Sequence, residues 1–423
     1  MADAASARIG WVVAGSLAGG LVAAVLLVAA PFVPPTEAGV TGALLCGWAL
    51  GWAVLVVLSA RLTDQPQRWA AAPALFMGVS GLLLVVFGSA ALKVLTWVWP
   101  PVLLALVVWM FLRARRQLRS RSRRWLLHPV LAVLALAAVG GGYETVWEAA
   151  DARAHPAPGQ LVDVGGHRLH LSCTGSGGPT VVLEPGAGMT SSDLGSITPA
   201  VAGETRVCVY DRAGRGWSEP ADTPQDGAQI ATDLHTLLHR GQVPGPYVLV
   251  GHSFGGLYAL SFAARYPDEV AGMVLVDSTA PAPAGERREA PPGEGDTSDL
   301  TGRAAALVSA SARLGLGGLV GTASHVRSTL DEYAQASSSM QDAASLRDFA
   351  DKPLIVLTAG TGHDAAWSAD QDALAALSTT SIHRVVAGAS HAGLITDEEG
   401  AVATTRAILD VVTSVRTARP LAG

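Results

Sequence analysis

Residues 247–267 read YVLVGHSFGGLYALSFAARYP, and the break inside this stretch decides the fold. YVLV is a continuous apolar run of the kind that suits a strand buried on both faces, whereas GGLYALSFAARYP reads as a helix. Between them lies G-x-S-x-G, residues 251–255, so Ser253 is expected on a sharp strand-to-helix turn with its hydroxyl above the sheet. The small residues Gly251 and Gly255 let such a turn form without side-chain collision.

Outward from this point the same alternation repeats. Short apolar runs bounded by Gly or Pro, namely LVDVGG, HRLHLSC, TVVLEPG, RVCVYD, AGMVLVDS, PLIVLTAG and IHRVVAG, recur between helical patterns from about residue 160. This order predicts an α/β domain over 160–423 with a mostly parallel sheet covered by helices. Between about 279 and 350 the pattern loosens into Ala, Ser, Gly and Pro, and this segment is expected to form an inserted lid.

A serine hydroxyl is a poor nucleophile without a base within hydrogen-bond reach. For a nucleophile on a strand-to-helix turn the chain order is Ser, then acid, then His, which selects His391 in GASHAG after the last expected strand. Two carboxylates compete for the acid: Asp364 after the seventh strand, and Asp277 at the end of the sixth. The reading leans to Asp364 and leaves Asp277 as the alternative. His235 and His239 read as helix-surface residues, and His252 is expected to point away from the nucleophile. No metal and no other cofactor is expected.

These residues resemble the α/β-hydrolase superfamily over about 160–415. Beyond GHSFGG, the resemblance rests on EPGAG at 184–188, which looks like the oxyanion loop, and on VYDRAGRGWSEP at 209–220, similar to the family's Asp-Arg-x-Gly-x-Gly-x-Ser stretch. It implies an α/β-hydrolase fold with an eight-stranded sheet and a lid between strands six and seven. It also implies oxyanion donors from the backbone N–H groups of Phe254 and Ala187. The oxyanion loop departs from the family by carrying Glu184 and Pro185 where many members show His before Gly. Strands two and four are neighbours in the resembling fold and carry Cys173 and Cys208, so a disulfide between them is permitted outside the cytoplasm; two buried thiols are the alternative. A Ser nucleophile favours acyl transfer to water, by ester, thioester or amide hydrolysis through an acyl-serine. The competing expectation is a catalytically silent binding or sensor protein on the same fold.

The first 148 residues have a different character. Half of the 423 residues are hydrophobic and 15% are charged, well below a soluble domain. Apolar runs at about 9–33, 38–60, 69–92, 94–112 and 125–143 predict an all-α bundle of five membrane spans, with a boundary at Lys93 between the third and fourth. A linker is expected at 149–159. The block RARRQLRSRSRR at 113–124 holds seven Arg and marks a cytoplasmic loop, which places the N-terminus inside and the hydrolase domain outside the cell membrane. Residues 151–423 hold 18 basic against 30 acidic residues, a balance that argues against a nucleic-acid partner. The expected partners are membrane lipids and a small-molecule or lipid ester substrate.

Overall fold

The structure, a computed structural model, describes residues 2–117, 127–281, 297–311, 313 and 323–421, in two compact units. Most of the arginine block and parts of the expected lid lie outside the described residues.

The first unit comprises residues 1–155 and 296–327. Its helices Ala2–Val28, Glu37–Leu62, Ala71–Gln117 and His128–Ala154 each contain a segment long and apolar enough to cross a membrane. The first ends at Val28 rather than 33, because Pro31 disfavours helical geometry in the residue before it. The second is N-capped by Thr36, whose side chain accepts from the Gly39 N–H. These two helices pack through small residues. A Cβ on Gly47 would lie 2.3 Å from the Cα of Ala24, and one on Gly20 would lie 3.0 Å from that of Gly51.

The expected third and fourth spans share the segment Ala71–Gln117, and the turn falls at Gly88 (φ 55°, ψ −133°), not at Lys93. There the chain folds back. Phe76 stacks on Trp99 with centroids 5.2 Å apart, and the Trp99 indole donates to the Ser80 hydroxyl at 2.9 Å. A straight helix would hold residues 76 and 99 roughly 35 Å apart. Only Gly reaches that φ without strain, so the turn needs no Pro or polar loop to announce it.

Two domain boundaries also differ from expectation. The fourth long helix continues through Ala154, so most of the expected linker is helical. The insertion is divided as well: helix Thr297–Ser311 belongs to the first unit, where Arg313 pairs with Glu37, Ser309 donates to Glu37 at 2.8 Å, and Arg327 donates to the Pro35 carbonyl at 2.7 Å. Loss of a clear hydrophobic pattern there therefore reflects docking through charges, not absence of packing.

The second unit, 156–295 with 328–423, is built on one eight-stranded sheet. In chain order the strands are β1 (Gln160–Asp163), β2 (Arg168–Thr174), β3 (Thr180–Glu184), β4 (Val207–Tyr210), β5 (Tyr247–His252), β6 (Val270–Val276), β7 (Leu354–Ala359) and β8 (Ser381–Val386). Their spatial order is β1-β2-β4-β3-β5-β6-β7-β8; β2 runs antiparallel to both of its neighbours, β1 and β4, and every other pair is parallel. Alternation along β5 explains its wholly apolar sequence. Tyr247 and Leu249 enter the core under helices Gly227–Arg240 and Phe254–Arg265, while Val248 and Val250 face the core under Glu398–Thr417. Each such side chain contributes roughly 1.5–3 kcal/mol by leaving water. Cys173 and Cys208 are cross-strand partners on β2 and β4 and are joined as a disulfide, with Cα atoms 4.1 Å apart.

Candidate active site

Ser253 sits where β5 gives way to helix Phe254–Arg265, with φ 55° and ψ −125°. A non-glycine residue in that region costs of order 1–3 kcal/mol and persists only when its surroundings fix it. Here they do. The Ser253 N–H donates to the Val276 carbonyl at 3.1 Å, the Thr279 N–H donates to the Ser253 carbonyl at 3.1 Å, and the Ser278 hydroxyl donates to the Gly251 carbonyl at 2.8 Å. A Cβ on Gly255 would lie 2.2 Å from the Glu184 carbonyl oxygen, so this position brings the helix against the end of β3.

His391 follows β8. Its Nδ1–H donates to Asp277 Oδ2 at 2.6 Å, which leaves Nε2 as the basic nitrogen of the ring. Asp277, fully buried at the end of β6, accepts three further hydrogen bonds: from His363 Nε2 at 2.6 Å, Trp367 Nε1 at 3.0 Å and the Ala359 N–H at 3.2 Å. Burial alone would raise its pKa. The donors from His391, Trp367, Ala359 and His363 outweigh that and lower it to about 2. The carboxylate is therefore ionised throughout the range in which proteins work.

Asp364, toward which the sequence reading leaned, does not meet His391. Its carboxylate accepts from the Trp367 N–H at 2.9 Å and caps helix Ala365–Ala375. A carboxylate just before a helix satisfies an orphan N–H there, which is a sufficient reason for Asp at 364. His252 turns to the loop of His391: its Nε2–H donates to the His391 carbonyl at 3.1 Å, and the two rings lie 4.7 Å apart. Burial, and then the neighbouring His391, lower its pKa to about 4, so His252 is neutral and holds the loop of His391 by its backbone.

The EPGAG loop lies beside the serine. A Cβ on Gly186 would stand 3.2 Å from the Ser253 Cβ and 3.0 Å from His252 Nδ1. Ala187 follows in the same loop, and Phe254 opens the helix after Ser253. Arg212 holds the loop by its carbonyls, donating to Pro185 O at 2.8 Å and Gly186 O at 2.7 Å. Glu332, buried on helix Ala323–Ala334, binds Arg212 at 2.6 Å and Arg215 at 2.6 Å, and accepts from the Gly188 N–H at 3.0 Å. Glu184 accepts from the Tyr210 hydroxyl at 2.7 Å and from Arg212 at 3.2 Å; burial nonetheless raises its pKa to about 7. Glu184 and Pro185 thus belong to a loop clamped by buried charges. Sequence reasoning missed His363, Trp367, Arg212 and Glu332. Arg212 lies inside the quoted Asp-Arg motif, but nothing local marks Glu332, 120 residues away.

Among the described residues, two groups bring three metal-ligating atoms together: Asp277, His363 and His391, and, apart from these, His235, His239 and Glu269. In the first group both imidazoles donate to one oxygen of a carboxylate that already has two more donors.

Residues 181–405 match the model of the alpha/beta hydrolase family. An uncharacterised protein of Schizosaccharomyces pombe is 37% identical over 152 residues, 29% of this chain and 28% of that protein. An uncharacterised vacuolar membrane protein of Saccharomyces cerevisiae is 36% identical over 98 residues, 22% of this chain and 15% of that one. The chain spans less than two fifths of the length of the first curated relatives it matches, at 28%, 38% and 18%. Among solved structures, a thermophilic esterase from Thermogutta terrifontis is similar at 22% identity and TM-score 0.45, covering 59% of this chain and 94% of that one. The enol-lactonase from Burkholderia xenovorans LB400 is similar at 23% identity and TM-score 0.44, covering 60% and 100%.

Proposed function

Because the chain belongs to the alpha/beta hydrolase family, we propose that it is a membrane-anchored serine hydrolase cleaving an ester, thioester or amide through an acyl-serine. Ser253 is the nucleophile, His391 the general base and Asp277 the acid. The observation that carries this reading is the His391–Asp277 hydrogen bond of 2.6 Å on a carboxylate held ionised, beside a serine on a strained turn.

The roles follow from the geometry. Asp277 fixes the His391 tautomer and stabilises the imidazolium formed when Nε2 takes the Ser253 proton. The serine oxygen attacks the substrate carbonyl, and the backbone N–H groups of Phe254 and Ala187 receive the oxyanion, each worth about 3–4 kcal/mol. His391 then returns the proton to the leaving group, and water repeats the sequence on the acyl-serine. A silent binding protein on this fold would have no use for a carboxylate with four donors.

We place the hydrolase domain outside the plasma membrane and take its substrate to be a lipid or small-molecule ester. The disulfide supports an oxidising compartment, and four apolar helices support a bilayer nearby. The test is labelling of right-side-out vesicles with a membrane-impermeant fluorophosphonate. A labelled band that Ser253→Ala abolishes is the expected result; absence of labelling in folded, permeabilised material would refute the hydrolase.

A further inference from the structure

His235 and His239 stand four residues apart on helix Gly227–Arg240, so their imidazoles share one face. Their Nε2 atoms lie 3.0 and 3.2 Å from one and the same oxygen, Oε1 of Glu269, in the turn that leads into β6. All three ligand atoms fall within 4.8 Å of one another. The other carboxylate oxygen, Oε2, is buried and takes no hydrogen bond among the described residues. Two donors crowding one oxygen while its twin goes without is a poor way to satisfy a carboxylate. It is a good arrangement of ligands around a cation.

We propose that His235, His239 and Glu269 bind a divalent transition-metal ion of the zinc class. At the 2.0–2.2 Å bonds zinc makes to imidazole and carboxylate, ligand atoms in a tetrahedral shell sit about 3.3–3.6 Å apart, close to the two N–O spacings of 3.0 and 3.2 Å. Two imidazoles and a carboxylate favour such an ion over calcium or magnesium, which take all-oxygen shells. The half-exposed His239 leaves the remaining coordination position to water. His235 is oriented by the ring of Tyr266, stacked on it at 4.0 Å and 9°. The ion would staple helix Gly227–Arg240 to the start of β6. It takes no part in the proposed hydrolysis and does not depend on it.

The test uses the full chain in detergent, carried on a tag without histidines, stripped with a chelator and titrated with Zn²⁺ by calorimetry and with Co²⁺ by visible absorption. One ion per chain is expected, with the intense visible bands of four- or five-coordinate cobalt. His235→Ala with His239→Ala should abolish that stoichiometric binding, and Glu269→Gln should weaken it about tenfold, while His363→Gln leaves it intact. Zinc at a hundredfold excess over its Kd should raise Tm by roughly 5–10 °C in the parent chain and not in the double variant. No one-to-one binding, or binding that survives the double variant, would overturn the proposal.

Discussion

Two aspartates that the sequence left in competition separate at the level of single side chains. Asp277→Asn should lower kcat roughly 10³–10⁴-fold, because an amide facing Nδ1 no longer selects the productive tautomer. Asp364→Ala should cost about 1 kcal/mol of stability as a lost helix cap and leave kcat within about twofold. Ester hydrolysis and thermal unfolding on the same two variants check both, and the reverse pattern would return the acid to Asp364. Asp277 also fixes a pH dependence. Its folded pKa of about 2 lies below the ordinary carboxylate value near 4, so its contribution, about 2 kcal/mol, is complete above pH 4 and is lost as pH falls toward 2. Acid unfolding of Asp277→Asn should lack that loss, which denaturant midpoints measured from pH 5 down to pH 2 would reveal.

Elements contribute through what they hold together, and here the limits of local reading become physical. Strand β5 and the turn at Ser253 were legible because every cue lies within 21 consecutive residues: apolar run, small-x-Ser-x-small, helix. The carboxylate partner of His391 was not, because Asp277 meets His363, Trp367 and His391 only after the chain segments that follow β6, β7 and β8 converge. Asp364 carried the stronger local signal because a helix cap and a triad acid both want a carboxylate after a strand. The pairing of β2 with β4 was legible through family resemblance alone, since strand order leaves no trace in a single run. That pairing places the Cys173–Cys208 disulfide across a 35-residue separation. In the chain-entropy picture a loop of that length contributes about 4 kcal/mol, so the double Cys→Ala variant should unfold at markedly lower denaturant without loss of kcat. Helix Ala323–Ala334 offers a contrasting case. Glu332→Ala would leave Arg212 and Arg215 buried without their shared carboxylate, a loss of about 3–5 kcal/mol. It would also free the Gly188 N–H and loosen the loop beside Ser253, so kcat should fall along with stability.

At the scale of the whole molecule the deciding feature is the number of membrane crossings. Helices Ala2–Val28, Glu37–Leu62 and His128–Ala154 are each long and apolar enough for one crossing. The segment Ala71–Gln117 supplies two if its halves, folded back at Gly88 with Phe76 on Trp99, each reach across the bilayer. Residues 71–87 span roughly 26 Å as a helix and 89–117 about 44 Å, so the first is close to the hydrocarbon thickness and the second exceeds it. Five crossings would put the N-terminus and the hydrolase domain on opposite sides, and so would the three that remain if the hairpin is re-entrant; a single crossing by Ala71–Gln117 would make four and put them on the same side. On the proposed topology the disulfide favours an oxidising compartment for the hydrolase domain, and the arginines from Arg113 onward favour the cytoplasm for the loop after the hairpin. Both conditions hold together only when His128–Ala154 crosses once between that loop and β1. Protease added to sealed right-side-out vesicles should therefore digest the catalytic domain and spare an epitope at the N-terminus. Digestion of both would mean an even number of crossings, with Ala71–Gln117 crossing once, and protection of the hydrolase domain would invert the orientation and leave the disulfide without its compartment.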